Sequence, residues 1–422
     1  MRASTVVFGC SLGVLAAACA TEQPGPLADV SGKAAEHLRS GASSYGGPVG
    51  AAASSPLESD VFKAFDFGLR PDVKPLLVHE PALDLVARVM SESFFATSQH
   101  TTPFVAQWMA WRAGSFALVE QTHIQDQGRV GFHRDSRLDD VGPMLDRDAT
   151  KFGESVAPRA GAFGVAREVG SLAWTAQAIV VGREPVVVEP LAKSYQLDEQ
   201  ATLKIKSLNG FTKPVLFLDV GNGVGKVKVE ADSGGGASVT FPVSSKPGHV
   251  MIELRASPPG TPGIQQTVLR VPLYAGVREP ETLSEFLGPR LPDPAPARTA
   301  SALRAAYDAA RASAMQGNLA EDPALTSLVE RWAQDVALDK PWTIATAANE
   351  LQPILAGRKF LIQTTKLRGP GDFSDYVTQR LSAPFEKAAY IAPAATFAAS
   401  AAGRPQGGIE LVEVILWKDQ PI

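Results

Sequence analysis

The sequence predicts an α+β chain of several domains, in which two related units of helix and strand flank an all-β sandwich. Three observations carry this. The chain has 422 residues, more than one hydrophobic core usually serves. Two segments align without a gap at an offset of 242 residues, "SDVFKAFDFGLRPDVKPLLVHEPALDLVARV" from Ser59 and "SALRAAYDAARASAMQGNLAEDPALTSLVERW" from Ser301. Between them, residues 201–274 change texture to short alternating or β-branched runs broken by glycine and proline.

With 45% hydrophobic and 20% charged residues the composition is that of a folded protein, and a net charge of −4 offers no basic field for gathering phosphate backbones. No basic run with interleaved aromatics occurs, so nucleic acid is not an expected partner. Arg2 precedes the apolar run "VVFGCSLGVLAAAC", too short for a stable bilayer span and of the length of an export-signal core. The run closes on "LAAACA", which resembles the bacterial lipobox, where small residues precede a cysteine that becomes the acylated first residue of the mature chain. Both cysteines of the sequence, Cys10 and Cys19, then fall within the signal or on its cleavage point. A signal over 1–18, lipidation of Cys19 and no disulfide in the mature protein follow. Ala20 in place of Asp after that cysteine resembles the sorting signal for the outer membrane. The alternative is a plain secretory signal with an incidental cysteine.

Residues 19–56 are rich in Gly, Ser, Ala and Pro without a sustained apolar period, and are read as a flexible tether with one short helix around Lys33 to Arg39. The first copy of the repeat is placed at 57–182. In each copy a helix and a turn lead to a second helix opened by proline: Pro81-Ala82-Leu83 and Pro323-Ala324-Leu325 follow Glu80 and Asp322. Proline at the first helical position forfeits no hydrogen bond. Phe65 aligns with Tyr307, Asp66 with Asp308 and Leu77 with Leu319. The runs "ATLKIKS", "PVLFLDV", "GKVKVEA", "ASVTFPV", "HVMIELRA" and "TVLRVPLY" predict an antiparallel sandwich of about seven strands, immunoglobulin-like in size, at 183–277. "GNGVG" reads as turn glycines, since no helix pattern follows it to form a phosphate cradle. A proline-rich linker at 278–299 leads to the second copy at 300–422.

The repeated unit resembles the CAP superfamily of cysteine-rich secretory, antigen 5 and pathogenesis-related proteins, whose domain is an α-β-α sandwich. "EPALDLVARVM" is similar to the family's helix and "HTTPFVAQWMAWRAG" to the segment that follows it; "VEQT" stands where the family has Gly-Glu-Asn, and "LDRDATKFGESVAPRAGAFGVA" is similar to the last block. The resemblance puts His100 on the family's first histidine, Glu120 on its acidic position and Ala149 on its second histidine. In the second copy it puts Trp342, Gln363 and Phe385 on those three positions. Such a metal site relies on paired imidazoles and two carboxylates, so the resemblance implies no metal and no other cofactor in either unit.

Other constellations are weaker. His123, His133, Asp135 and Asp139 are spaced for neither one helix face nor one hairpin, and read as a solvated loop whose last acids cap a helix. "FGESVAP" lacks the strand-turn-helix setting of a nucleophilic serine. Trp108, Trp111, Trp332 and Trp342 read as core or cleft-lining residues. The resulting expectation is an outer-membrane lipoprotein that binds a protein partner or an apolar ligand through clefts lined by His100, Glu120, Trp342, Gln363 and Phe385, without catalysis. The alternative is a metal-assisted hydrolase using His100 and Glu120, and a third class is a structural spacer. Replacing Cys19 by Ser is expected to release the chain from membranes, because two acyl chains anchor stably where one binds only marginally. Cell fractionation and mass spectrometry of the N-terminus check this, and an unmodified terminus refutes it.

Overall fold

The computed structural model describes residues 42–47, 78–97, 101–127, 158–169, 172–219, 223–259, 265–287, 291–367, 371–405 and 407–418. Over these residues the chain is a mixed α/β protein with several sheets, none closed into a barrel. Strand β1 (Ser44–Tyr45) comes first, then β2 (Val78–His79), helices α1 (Pro81–Thr97) and α2 (Pro103–Arg112), and strands β3 (Leu118–Gln127), β4 (Pro158–Val169) and β5 (Leu172–Arg183). These form a sheet in the order β2-β4-β5-β3, antiparallel except for the β2–β4 pair. Helix α2 starts where the Thr102 hydroxyl accepts the Val105 N–H, and it stops at Gly114, whose φ of 84° is open to glycine. Leu83, Val86 and Val89 of α1 and Val105 and Trp108 of α2 pack with Ala178 and Val180 of the sheet. Gly161 permits this approach, since a Cβ there would lie 2.2 Å from the Leu83 carbonyl carbon.

The middle of the chain forms β6 (Val187–Val188), β7 (Leu191–Ala192), β8 (Ser194–Tyr195), β9 (Gln200–Ser207), β10 (Thr212–Asp219), β11 (Val224–Lys228), β12 (Glu230–Ala231), β13 (Ala237–Pro242), β14 (Gly248–Ser257) and β15 (Gln266–Ala275). All but β7, which pairs with β1, build two sheets, β11-β10-β14-β15-β8 and β12-β13-β9-β6. Strands β9 and β13 alternate strictly, burying Ala201, Leu203, Ile205, Ala237, Val239 and Phe241 in one core with Leu216, Ile252, Leu254 and Val271 of the other sheet. Strand β14 breaks the alternation: Met251, Glu253, Arg255 and Ser257 on its outer side are buried as well. The flanking units dock on that side.

The remainder comprises α3 (Leu283–Leu287), a 3₁₀ turn at Pro296–Arg298, α4 (Thr299–Ser313), α5 (Pro323–Ala337), α6 (Ile344–Leu355), β16 (Lys359–Leu367), α7 (Asp372–Ser382), α8 (Pro384–Tyr390), β17 (Thr396–Gly403) and β18 (Ile409–Trp417). The Asp322 side chain caps α5 by accepting the N–H groups of Ala324 and Leu325. The sheet β16-β18-β17 is antiparallel. One of its faces, with Ile362, Ala398, Val412, Val414 and Leu416, packs on Leu325, Val329 and Trp332 of α5 and Leu351 of α6. The other, with Leu361, Phe397, Leu411 and Ile415, packs on Tyr307 of α4, Val377 of α7 and Ala389 of α8. Helices therefore cover this sheet on both sides.

The two flanking units share one topology. Ala320 bridges Thr396 in parallel as Val78 bridges Arg159, and Val78 and Ala320 are again 242 residues apart. Strand orders β2-β4-β5-β3 and Ala320-β17-β18-β16 coincide, and α1 and α5 both begin at the aligned proline.

Two expectations need correction. The tether reading fails at 42–47: Tyr45 is fully buried, its hydroxyl donates to the Pro272 carbonyl at 2.6 Å, and its ring packs 5.6 Å from that of Phe116. Within the proline-rich linker, α3 buries Leu283 and Phe286 in the main core, with Phe286 against Trp111 and His249. Single large side chains overrode a composition averaged over many small ones. The lipobox, Cys19 and the short helix at 33–39 lie outside the described residues.

Gly161→Ala is expected to destabilise the first unit by about 3 kcal/mol, since the obstacle is backbone rather than a movable side chain. The sheet register puts Ala398 at the matching position of the second unit. Ala398→Gly should cost only about 1 kcal/mol. Chemical denaturation of both variants checks the contrast.

Candidate functional site

His100, Ala149, His133, Asp135 and Asp139 lie outside the described residues. Glu120 is the extra residue of a β-bulge between Val119 and Gln121, and it forms a salt bridge with Arg183 at the end of β5. A guanidinium in that position competes with any cation for the carboxylate oxygens. The bulge also shifts the alignment of the two copies. Counted from the matched bridges, Gln363 opposite Glu413 is level with His123 opposite Ile179, and not with Glu120. The pairing of Glu120 with Gln363 is therefore corrected by three residues, one of them the bulged residue itself.

Trp342 and Phe385 do not share a cleft. Trp342 sits before α6 and packs edge-on against Trp332, ring centroids 6.2 Å apart, on the α5–α6 side of the sheet. Phe385 lies on α8, on the opposite side. Its ring meets Phe217 of β10 at 5.3 Å and Trp417 of β18 at 5.8 Å, and the Arg255 guanidinium stacks on it at 3.7 Å. Its backbone N–H donates to Glu253 Oε2 at 3.0 Å. Gln363 is half-buried on the β16 side chain row of Leu361 and Leu367, away from Trp342. A match of residues along the sequence carries no information about the face of the sheet on which each segment packs.

The most concentrated polar chemistry among the described residues is a buried ionic chain that sequence reading missed. Glu253 on β14 accepts from Arg255, from the Thr267 hydroxyl at 2.6 Å and from Arg270 at 3.1 Å. Arg270 reaches Glu386 of α8 at 3.3 Å, Glu386 accepts from Arg380 of α7 at 2.8 Å, and Arg380 Nε donates to Glu413 of β18 at 2.9 Å. The Tyr307 hydroxyl donates to the same Glu413 carboxylate at 2.9 Å. Burial alone would push the Glu253 carboxyl up. Arg270, Arg255, Thr267 and the Phe385 N–H override it and hold it at about 2. Glu253 is therefore ionised across the physiological range, and it, Glu386 and Glu413 are each engaged by a guanidinium. The chain of ion pairs is a structural one, with Glu253 a counter-ion and not a proton donor. "MIELRA" and "TVLRVPLY" hold the only sequence sign, charges on strands whose outward face reads as solvated.

No protein-family model and no curated protein matches the chain. Among the described residues no group of three or more His, Cys, Asp or Glu side chains is arranged to hold a metal ion, and no helix is long and apolar enough to cross a membrane.

Arg380→Met removes the partner shared by two buried carboxylates and should cost about 3–5 kcal/mol, the penalty of leaving buried charge uncompensated. Thermal or chemical unfolding checks this; a loss below 1 kcal/mol would show that water reaches the network.

Proposed function

We propose that the chain is a cell-envelope lipoprotein, anchored through Cys19 to the outer membrane, that acts by binding a protein partner or an apolar ligand. On this reading its flanking units are degenerate relatives of the CAP superfamily and the sandwich between them is immunoglobulin-like. The observation that carries the binding reading is the fate of Phe385. The position that the resemblance gives to a histidine ligand is filled by an aromatic ring wedged between Phe217 and Trp417 under the Arg255 guanidinium. A side chain that holds two units together is not available to a reaction. The pairing of Glu120 with Arg183 supports the same conclusion in the first unit. Apolar surface for a partner exists at the turn between α5 and α6, where Leu338 is 55% and Ile344 56% exposed next to Trp342.

The test is calorimetric titration of zinc into metal-free protein, with His100→Ala alongside. Heat no greater than that of scattered surface sites, unchanged in the variant, is the expected outcome. Tight one-to-one binding abolished by His100→Ala would replace the binding reading with a metal-assisted hydrolase.

A further inference from the structure

Two carboxylates share one guanidinium where the first unit joins the sandwich. Arg159 Nε on β4 lies 2.7 Å from Glu184 and 3.9 Å from Glu80, and both carboxylate side chains are only 12% exposed. Glu80 stands at the head of α1: its N–H donates to the Ala160 carbonyl, its carbonyl accepts from Leu83, and its carboxylate takes the Ser115 hydroxyl. Its second oxygen, Oε2, is buried without a hydrogen-bond partner. Glu184 is the first residue after β5, and Pro185 next to it accepts a hydrogen bond from Asn209 of the sandwich at 2.9 Å. Val187 then pairs with Ser207 of β9. The cluster thus ties the first helix, the central strands and the crossing into the sandwich together.

We propose that Glu80, Arg159 and Glu184 form a one-proton switch at this seam, closed while one of the two carboxylates is protonated and loosened when both are charged. The charges count two against one in a nearly dry place, which favours retention of a proton. The groups facing the pair are Arg159 from β4, Ser115 from the turn after α2, and His79 from β2, whose ring is itself engaged by Asp84 of α1. Arg183 next door is taken by Glu120. Burial, with the charge of Glu80 adding to it against the pull of Arg159, raises the Glu184 carboxyl to about 7, and burial raises Glu80 as well. The second unit serves as an internal control. The matching residues there are Asp322, Thr396 and Lys418, and Asp322 has Arg358 at 3.7 Å, so no carboxylate pair forms.

The sign follows from linkage. A carboxyl raised in the folded state favours folding fully below its ordinary value of 4.5, and that contribution disappears as pH rises through about 7. In the full-length protein, hydrogen exchange of the Glu184, Val186, Val187 and Val188 amides, corrected for intrinsic base catalysis, should accelerate on the order of 100-fold between pH 5 and pH 8. Glu184→Gln should abolish that acceleration, and Glu80→Gln should move its midpoint to lower pH. Carboxyl carbon NMR of the wild-type protein, with Glu184 assigned by difference from Glu184→Gln, reads the titration directly. A Glu184 midpoint in the ordinary carboxylate range, or an acceleration that persists in Glu184→Gln, overturns the switch.

Discussion

Arg270 is the residue on which the arrangement of the whole chain depends. Its backbone carbonyl accepts the Trp111 indole N–H from the first unit at 2.8 Å, while its guanidinium reaches Glu253 within the sandwich and Glu386 of the C-terminal unit. One residue of β15 therefore touches all three parts. The ionic chain built on it is balanced, with Glu253, Glu386 and Glu413 against Arg255, Arg270 and Arg380, and it is continuous only in this docking geometry. Three of its guanidinium nitrogens, Arg255 Nε, Arg270 Nε and Arg380 Nη2, lack partners among the described residues. A buried network left partly unsatisfied contributes little net stability compared with an apolar interface. Its contribution lies in orientation: any rotation of α8 over the sandwich separates charges that water cannot reach.

The repeat and the sandwich were legible because both are local patterns. A proline after an acid opens α1 and α5 alike, and alternation in "ATLKIKS" and "ASVTFPV" marks β9 and β13 with one face inward. What was illegible depended on contacts between distant segments. Glu253 and Arg255 look like the solvated face of an ordinary strand until α8 covers them. Tyr45 looks like an incidental aromatic in a small-residue stretch, yet β1 pairs with β7 and the Lys193 ammonium lies 5.1 Å from its ring. The alignment of Glu120 with Gln363 is three residues out, and one of the three is a bulged residue that no alternation pattern displays.

The separation of Trp342 from Phe385 has the same origin. A strand states which of its residues share a face, as Ile362 and Val414 do on one side and Leu361 and Ile415 on the other. A helix laid against the sheet carries no such mark. Its own stripe fixes which residues face inward but leaves open which side of the sheet it covers. Placing site residues from strands, a helix and a loop therefore demands topology that sequence order alone does not supply.

One strand order occurs in two settings, and the differences between the two units follow from what each must hold. The second copy turns α8 toward the sandwich, and Phe385, Glu386 and Lys387 in succession contact Glu253, Arg270 and Asp219. Three consecutive residues committed to an interface leave that segment no freedom to keep a ligand. The first copy is held differently, by Trp111, by the seam at Glu184 and by the Tyr45 strand. None of these contacts uses the α1–α2 face of its sheet beyond packing, and Glu120 is occupied by Arg183 at the sheet's edge. The aromatic and ionic interface of one unit and the titratable cluster of the other are thus two consequences of one constraint. Identical scaffolds docked on a single platform cannot present identical surfaces to it.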